Sequence, residues 1–414
     1  MSAAPRRAAV AYYVHVPFCA AHCTWCDYPV TVGGLERAPE LVTAVLAEGK
    51  TLRAALADRP VAALYVGGGT PSFLPQGELR RLLAGLAGAL HPPAGDDGGG
   101  RPVESTLEVN PEDVTGELLA TCAGAGIDRL SVGVQSFADS SLQRLGRRCT
   151  ASELHAAMAL LTRRWPGRLN IDLMAGVPGQ RFADVQADVD RVADLGVGHV
   201  TLLQLADPPP GGLQPSAGAD ELWLAAGEQL RRRGYADYEV SHFARGGDRS
   251  RYLCHVLRMQ PVAAAGPGAV GTLPAAAAAS YGGPVRTESG AVRCTHAAEL
   301  DRYLAGSAAG WGCTPEPVPT QGLLVEHLLQ GLRLTEGIDA ESAWLRPPLG
   351  TLLDELWDRW QRLGLAHRHG ARLALTARGR LQLDGLVAAA SDHLHSEAGG
   401  DQPVFAAWPD GAGS

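Results

Sequence analysis

The chain has 414 residues, with 36 Lys and Arg against 44 Asp and Glu and a formal net charge of -8. The acidic balance argues against a nucleic-acid binder, which usually presents a basic face. No stretch reaches the roughly 18–20 apolar residues that a membrane span needs. With 46% hydrophobic residues, the length suits one barrel-type domain plus a smaller one. In chain order, strands are predicted at Tyr12–Pro17, Ala63–Gly67, Thr106–Asn110, Arg129–Val134, Leu169–Ala175 and His199–Leu205. Each is short, apolar or β-branched, and bounded by Gly, Pro or Asn. Amphipathic stretches such as Leu41–Leu56, Glu78–Leu90 and Ala151–Arg163 read as helices between them. Strands alternating with helices imply a parallel sheet, as a barrel or as an open sheet.

Pro93–Pro102 reads as a surface loop, and Pro208–Gly218 as a Pro/Gly-rich link. Val262–Ser280 is Ala/Gly-rich without a period and is left unplaced. Gln321–Ala390 is helical apart from a strand-then-helix pattern around Leu373–Arg380, as in a small winged-helix-like unit. The expected organisation is a barrel over 1–206, a linker and barrel-covering segment over 207–310, a C-terminal helical domain over 311–390 and a disordered tail over 391–414.

The eight cysteines carry more information. The start MSAAPRRAAV is followed by no long apolar run or small-residue cleavage site, so a cytoplasmic protein is expected, where thiols stay reduced. Cys19, Cys23 and Cys26 form a CxxxCxxC group on a loop after the first strand. Three thiolates can hold three irons of a [4Fe–4S] cube and leave the fourth iron open to a ligand. Zinc is the rival occupant; a structural zinc site closes four ligands, and His22 is the nearest fourth. After the second strand comes Gly67-Gly-Gly-Thr-Pro-Ser72, glycines that let a backbone approach a ligand closely.

The pairing of these two motifs resembles the radical S-adenosylmethionine (SAM) superfamily, whose usual fold is a partial (β/α)6 barrel. The segments YVHVPFCAAHCTWCDY, YVGGGTPSFL, LEVNPEDV, RLSVGVQSF, LGRRC, NIDLMAGVPGQ, YEVSHFA, GLRLTEGID and LALTARGR resemble the family of the oxygen-independent coproporphyrinogen III oxidase and the related heme chaperone. That family also includes class C radical SAM methyltransferases. The expected fold class is therefore α/β, a partial (β/α)6 barrel with a smaller, helical, winged-helix-like C-terminal domain.

The resemblance implies a [4Fe–4S] cluster on Cys19, Cys23 and Cys26 and two SAM molecules. Tyr13 and Val270 match positions beside the first SAM, and Gly68, Gly69 and Thr70 fit the shared SAM motif. Glu108 stands at a strand end where a carboxylate can hold SAM ribose or amino groups. Gln135, Arg147, Asp172 and Ala206 resemble the second-SAM site, and Trp25 lies in the aromatic slot near it. Lys50 is the one lysine of the chain, so arginine must supply cations for SAM carboxylates, and Arg147 is the position expected to do so.

Two departures matter. The oxidase has a further cysteine beyond the cluster motif, where Asp27 and Tyr28 stand here. The chaperone's HNxxYW-type motif has a histidine associated with heme, but by gapless count Tyr252 takes that place, with His255 three residues on. The expectation is a class C radical SAM C-methyltransferase, forming a methyl or cyclopropane group at an sp2 carbon of a natural-product intermediate. The alternative is a heme-binding chaperone. The implied partners are a small-molecule substrate, an electron donor such as flavodoxin or ferredoxin, and a companion SAM methyltransferase, with no nucleic acid and no membrane. No acid/base residue stands out.

Overall fold

The computed structural model describes residues 7–57, 59–90, 104–205, 214–279, 284–306, 312–341 and 349–397. The expected loop at Pro93–Pro102, Ala206, the expected link up to residue 213 and the expected tail from 398 onward lie outside the described residues, whereas residues 391–397 of that tail continue the helix Leu383–Glu397.

Six parallel strands form the barrel wall: β1 Val10–Val16, β2 Val61–Gly68, β3 Glu104–Val109, β4 Arg129–Gln135, β5 Arg168–Ala175 and β6 His199–Gln204. All six overlap the strands expected from the sequence. The sheet runs on at both ends. Beyond β6 lie the antiparallel β7 Ala236–Asp237 and β8 His242–Ala244. On the other side β1 pairs in parallel with β9 Val262–Ala265, followed by the antiparallel β10 Val270–Pro274, β11 Ala291–His296 and β12 Cys313–Pro317. The order is β12-β11-β10-β9-β1-β2-β3-β4-β5-β6-β8-β7, an open twelve-stranded sheet. The unplaced Ala-rich segment is thus two sheet strands followed by a helical turn, Ala275–Ala278. Four residues reading VAAA lack the branched side chains that announce a strand.

The alternation of side chains along the strands sorts the molecule into layers. Outward residues such as Val14, Val16, Leu64, Val66, Leu107, Leu130, Val132 and Ile171 are buried in the main core. They pack under helices that include α1 Ala38–Ala55, α2 Gln76–Leu90, α5 Ala151–Arg164 and α6 Phe182–Asp194. The α5 helix starts with a capping box, Thr150 with Glu153. Inward residues are largely polar. At the amino end of the barrel Arg129 is buried between Asp248 (2.6 Å) and Glu104 (3.5 Å), and Arg168 reaches Glu104 at 3.2 Å. Glu104 also accepts hydrogen bonds from Ser250 Oγ and from the backbone N–H of Arg251 and Tyr252, at 3.2, 2.7 and 3.3 Å. This carboxylate complements the N-terminus of the short helix α8 Arg251–Leu257 and fixes how α8 enters the barrel.

A second core joins α11 Thr320–Arg333, α12 Leu349–Arg362 and α14 Leu383–Glu397 through Leu323, Leu328, Trp357, Trp360 and Ala390. A three-stranded sheet of β13 Ile338–Asp339, β14 Ala366–His369 and β15 Arg372–Leu375 completes the unit. It is tied to the barrel by Arg333–Glu239 at 2.8 Å and Arg380–Asp237 at 2.5 Å. No described helix is long and apolar enough to cross a membrane.

Candidate functional site at the carboxyl ends of the barrel strands

The cysteine loop is closed at its base. Phe18 and Cys19 pair with Thr31 and Val32, Thr31 N–H donates to Pro17 O (2.8 Å), and Gly33 N–H donates to Cys19 O (2.9 Å). Cys26 N–H returns to Cys23 O at 3.2 Å. Burial pushes the Cys19 and Cys26 thiols upward, each partly offset by a hydrogen bond, from Thr70 to Cys19 and from the Tyr28 backbone to Cys26. Cys19 Sγ lies 3.3 Å from Thr70 Oγ1. Among the described residues no group of three or more His, Cys, Asp or Glu side chains is arranged to hold a metal ion. What relates the three cysteines is their shared loop. His22, the candidate fourth zinc ligand, is exposed.

The glycine motif seats this loop. Gly69 N–H donates to Val16 O and Thr70 N–H to Phe18 O, both at 2.8 Å. A Cβ on Gly69 would stand 2.6 Å from Pro17 O and 2.8 Å from Phe18 O, so only glycine permits this approach. A Cβ on Gly67 would lie 2.7 Å from the Glu108 carboxyl carbon. Its absence lets Glu108 accept from Gly68 N–H at 3.0 Å, and Tyr65 O–H donates to the same carboxylate at 2.7 Å. Burial pushes Glu108 up to about 7 against these two hydrogen bonds, with the nearby Asp172 charge adding to the rise. Asp172 is itself raised by burial, offset by hydrogen bonds from Thr201 and from Asn170, whose Nδ2 lies 2.7 Å away. Two half-buried carboxyl groups toward the strand ends suit a ligand bearing amino or hydroxyl donors.

The other expected residues sort as follows. Gln135 holds a φ of 68°, at a register shift at the end of β4, and its Oε1 is buried without a partner. A non-glycine residue in this region stores strain of about 1–3 kcal/mol. Arg147 follows α4 Asp139–Arg144 and donates to Gly133 O (2.9 Å) and Asn110 Oδ1 (3.1 Å), with Nη1 4.0 Å from Cys23 Sγ. Its guanidinium therefore bridges the cysteine loop and β4, and Nε remains buried and unpartnered. Trp25 packs beside Leu145, Met174, Val177 and Leu205, its Nε1 also without a partner. Tyr13 O–H lies 2.9 Å from His15 Nδ1. Val270 is 45% exposed on the rim of a side cleft. The structure thus brings Gly68, Glu108 and Asp172 together, sets Arg147 against Cys23, and places Val270 in a cleft that Tyr252 also lines.

Sequence reasoning missed Tyr65 and Asn110. Tyr65 precedes Gly67 by two, so it shares its inward face, which was the available signal. Tyr252 also belongs here. Its ring is 4.8 Å from Tyr65 and 6.3 Å from Tyr13. It also lines a cleft of about 110 Å³ with Val256, Val262, Val270 and Thr272, between α8 and β10. His255 is turned away: Nε2 lies 2.9 Å from Pro261 O, and burial lowers it to about 4, so the ring is neutral and donates to that carbonyl.

The chemistry of the donors, and not their arrangement in this structure, fits the group that the cysteines imply. The donor set is three thiols on one loop. The Arg147 guanidinium stands 4.0 Å from Cys23 Sγ. The buried atoms without partners, Gln135 Oε1, Arg147 Nε and Trp25 Nε1, await a polar ligand.

The profile of the Radical SAM superfamily matches residues 13–192. The heme chaperone HemW of Mycobacterium tuberculosis is 31% identical over 396 residues, 91% of this chain and 93% of its own. The mitochondrial radical S-adenosyl methionine domain-containing protein 1 of Bos taurus is 30% identical over 367 residues, 85% of this chain and 79% of its own. The structure of coproporphyrinogen III oxidase (HemN) from Escherichia coli superposes with a TM-score of 0.70 at 20% identity, covering 94% of this chain and 91% of that one, which shows the shared fold. None of these three names a methyl transfer. The chain belongs to the radical SAM superfamily and, within it, to the coproporphyrinogen oxidase and heme chaperone family.

Proposed function

We propose that this radical SAM protein holds a [4Fe–4S] cluster on Cys19, Cys23 and Cys26 and binds SAM against Gly68, Glu108 and Asp172, for radical chemistry on a small molecule in the cleft beside Tyr252. The observation that carries the reading is the seating of the cysteine loop on Gly69 and Thr70, next to Gly68, whose N–H donates to Glu108. When bound, cluster and SAM supply one-electron cleavage of SAM to a carbon-centred radical. The protein's own residues place the reactants. Arg147 offsets the charge of the thiolates, Glu108 and Asp172 receive amino or hydroxyl donors, and the Tyr13–Tyr65–Tyr252 cluster keeps water from the barrel side. The test is anaerobic reconstitution with iron and sulfide. The expected result is about four irons per chain and formation of 5′-deoxyadenosine with dithionite and SAM, both abolished in Cys23→Ala. Zinc retention without iron uptake would overturn the reading.

Two finer readings differ in class. Heme handling is supported by the HemW relative, of which this chain spans 93%. One observation weighs against a heme ligand and keeps C-methylation with a second SAM as the other reading: Tyr252 stands where the chaperone motif has its histidine, and His255 is committed to Pro261 O. Burial raises the Tyr252 phenol well above its usual value, which disfavours a phenolate ligand to heme iron. Heme titration separates the two. Saturable binding lost in a Tyr252→Phe, His255→Ala double variant supports heme handling. S-adenosylhomocysteine formed alongside 5′-deoxyadenosine supports methyl transfer, for which a flavodoxin or ferredoxin donor and a companion SAM methyltransferase are the partners we propose.

A further inference from the structure

Away from the strand ends, a carboxylate is buried in the middle of α1. Glu48 is 0% exposed, and both oxygens are used. Oε1 faces His296 Nε2 at 2.6 Å, while Oε2 accepts from Tyr303 O–H at 2.6 Å and from Gly266 N–H at 3.2 Å. The other ring nitrogen of His296, Nδ1, donates to Ala269 O at 2.8 Å, and His296 N–H reaches the same carbonyl at 2.9 Å. One proton therefore lies between Nε2 and Oε1, and the whole group grips a single turn, residues 266–269, at both ends. A carboxylate is costly to bury unless partners meet it, and here three groups do.

What the turn touches gives it a role. Gly266 has a φ of +107°, and a Cβ there would lie 2.3 Å from His15 O; a Cβ on Gly268 would lie 2.8 Å from Pro29 Cγ. His15 Nε2 in turn donates to Pro29 O at 3.1 Å, while its Nδ1 accepts from Tyr13 O–H. Pro29 stands three residues past Cys26, so the turn forms the back of the cysteine loop. We propose that Glu48, through His296, Tyr303 and Gly266, is a positioning residue for the cysteine loop: it holds the 266–269 turn against His15 and Pro29 and so sets where Cys26 lies. The inference rests on the cluster reading for one of its two readouts.

The test compares Glu48→Ala with Glu48→Gln. Glutamine can give its oxygen to Tyr303 and Gly266 and its NH₂ to the Nε2 lone pair of a neutral His296, so every bond survives without the charge. Hydrogen exchange on the cluster-free protein should quicken in peptides covering residues 19–32 and 262–272 of Glu48→Ala, and not in β3–β5, with Glu48→Gln like wild type. On reconstituted protein, Glu48→Ala should lose iron to a chelator about tenfold faster, the equivalent of one lost buried hydrogen bond. Should Glu48→Ala be insoluble, Tyr303→Phe removes one donor and should show the same pattern at smaller amplitude. Exchange that rises only within α1, or uniformly over the chain, overturns the proposal, as does Glu48→Gln behaving like Glu48→Ala. A wild-type protein that takes up no cluster refutes the cluster reading instead, and the exchange experiment then decides this inference alone.

Discussion

Replacing Glu108 by Gln tests the electrostatics of the strand-end site through stability alone. The Glu108 carboxyl is raised from 4.5 to about 7 in the folded protein, chiefly by burial. A group whose folded value is raised contributes stability that is fully present below the unfolded value and is lost as pH rises through the folded one. The interval from 4.5 to about 7 is worth about 3 kcal/mol at about 1.4 kcal/mol per pH unit. Only about 1 kcal/mol of it is lost by pH 5, and nearly all by pH 8. Glutamine does not titrate. It keeps one acceptor for Tyr65 O–H but turns an NH₂ toward Gly68 N–H, at a constant cost of about 1 kcal/mol. Urea unfolding of the cluster-free protein should therefore show the variant about equal to wild type at pH 5 and more stable by about 2 kcal/mol at pH 8. A difference between variant and wild type that stays flat from pH 5 to 8 would refute the raised carboxyl and with it this reading of the strand-end site.

Three further outcomes follow from other parts of the site. Gly69→Ala puts a methyl 2.6 Å from Pro17 O and should cost about 1–3 kcal/mol by overpacking, with much reduced iron uptake; normal iron content would contradict the seating of the cysteine loop. Gln135→Gly relieves the φ of 68° and should stabilise the cluster-free protein by about 1 kcal/mol while weakening SAM binding, measured by calorimetry; unchanged SAM affinity would remove Gln135 from the site. Arg147→Met leaves Asn110 Oδ1 and Gly133 O without their donor and should lower stability by about 1–3 kcal/mol and quicken cluster loss, followed by absorbance; retention at the wild-type rate would show that its approach to Cys23 is incidental.

The six barrel strands were readable because each carries an apolar face at period two and ends at Gly, Pro or Asn. What the pattern hides is the other face. Tyr65, Glu108, Asp172 and Asn170 point into the barrel, and a polar residue in a strand ordinarily reads as facing solvent. Motif resemblance recovered Glu108 and Asp172, and their shared space only emerged with the sheet register. The alanine strand Val262–Ala265 escaped because small side chains carry no strand signal. The link from Glu48 to His296 spans 248 positions, and nothing local in either helix or strand announces it. Arg147 was placed near the site by sequence, but its bonds to Gly133 O and Asn110 depend on the bulged end of β4.

The most direct test of the account is the electron paramagnetic resonance spectrum of the reconstituted, dithionite-reduced protein with and without SAM. The account predicts a [4Fe–4S]⁺ signal whose shape changes on adding SAM, because an iron not held by Cys19, Cys23 or Cys26 is open to it. A cluster signal indifferent to SAM, or a protein that binds zinc and no iron, would contradict it.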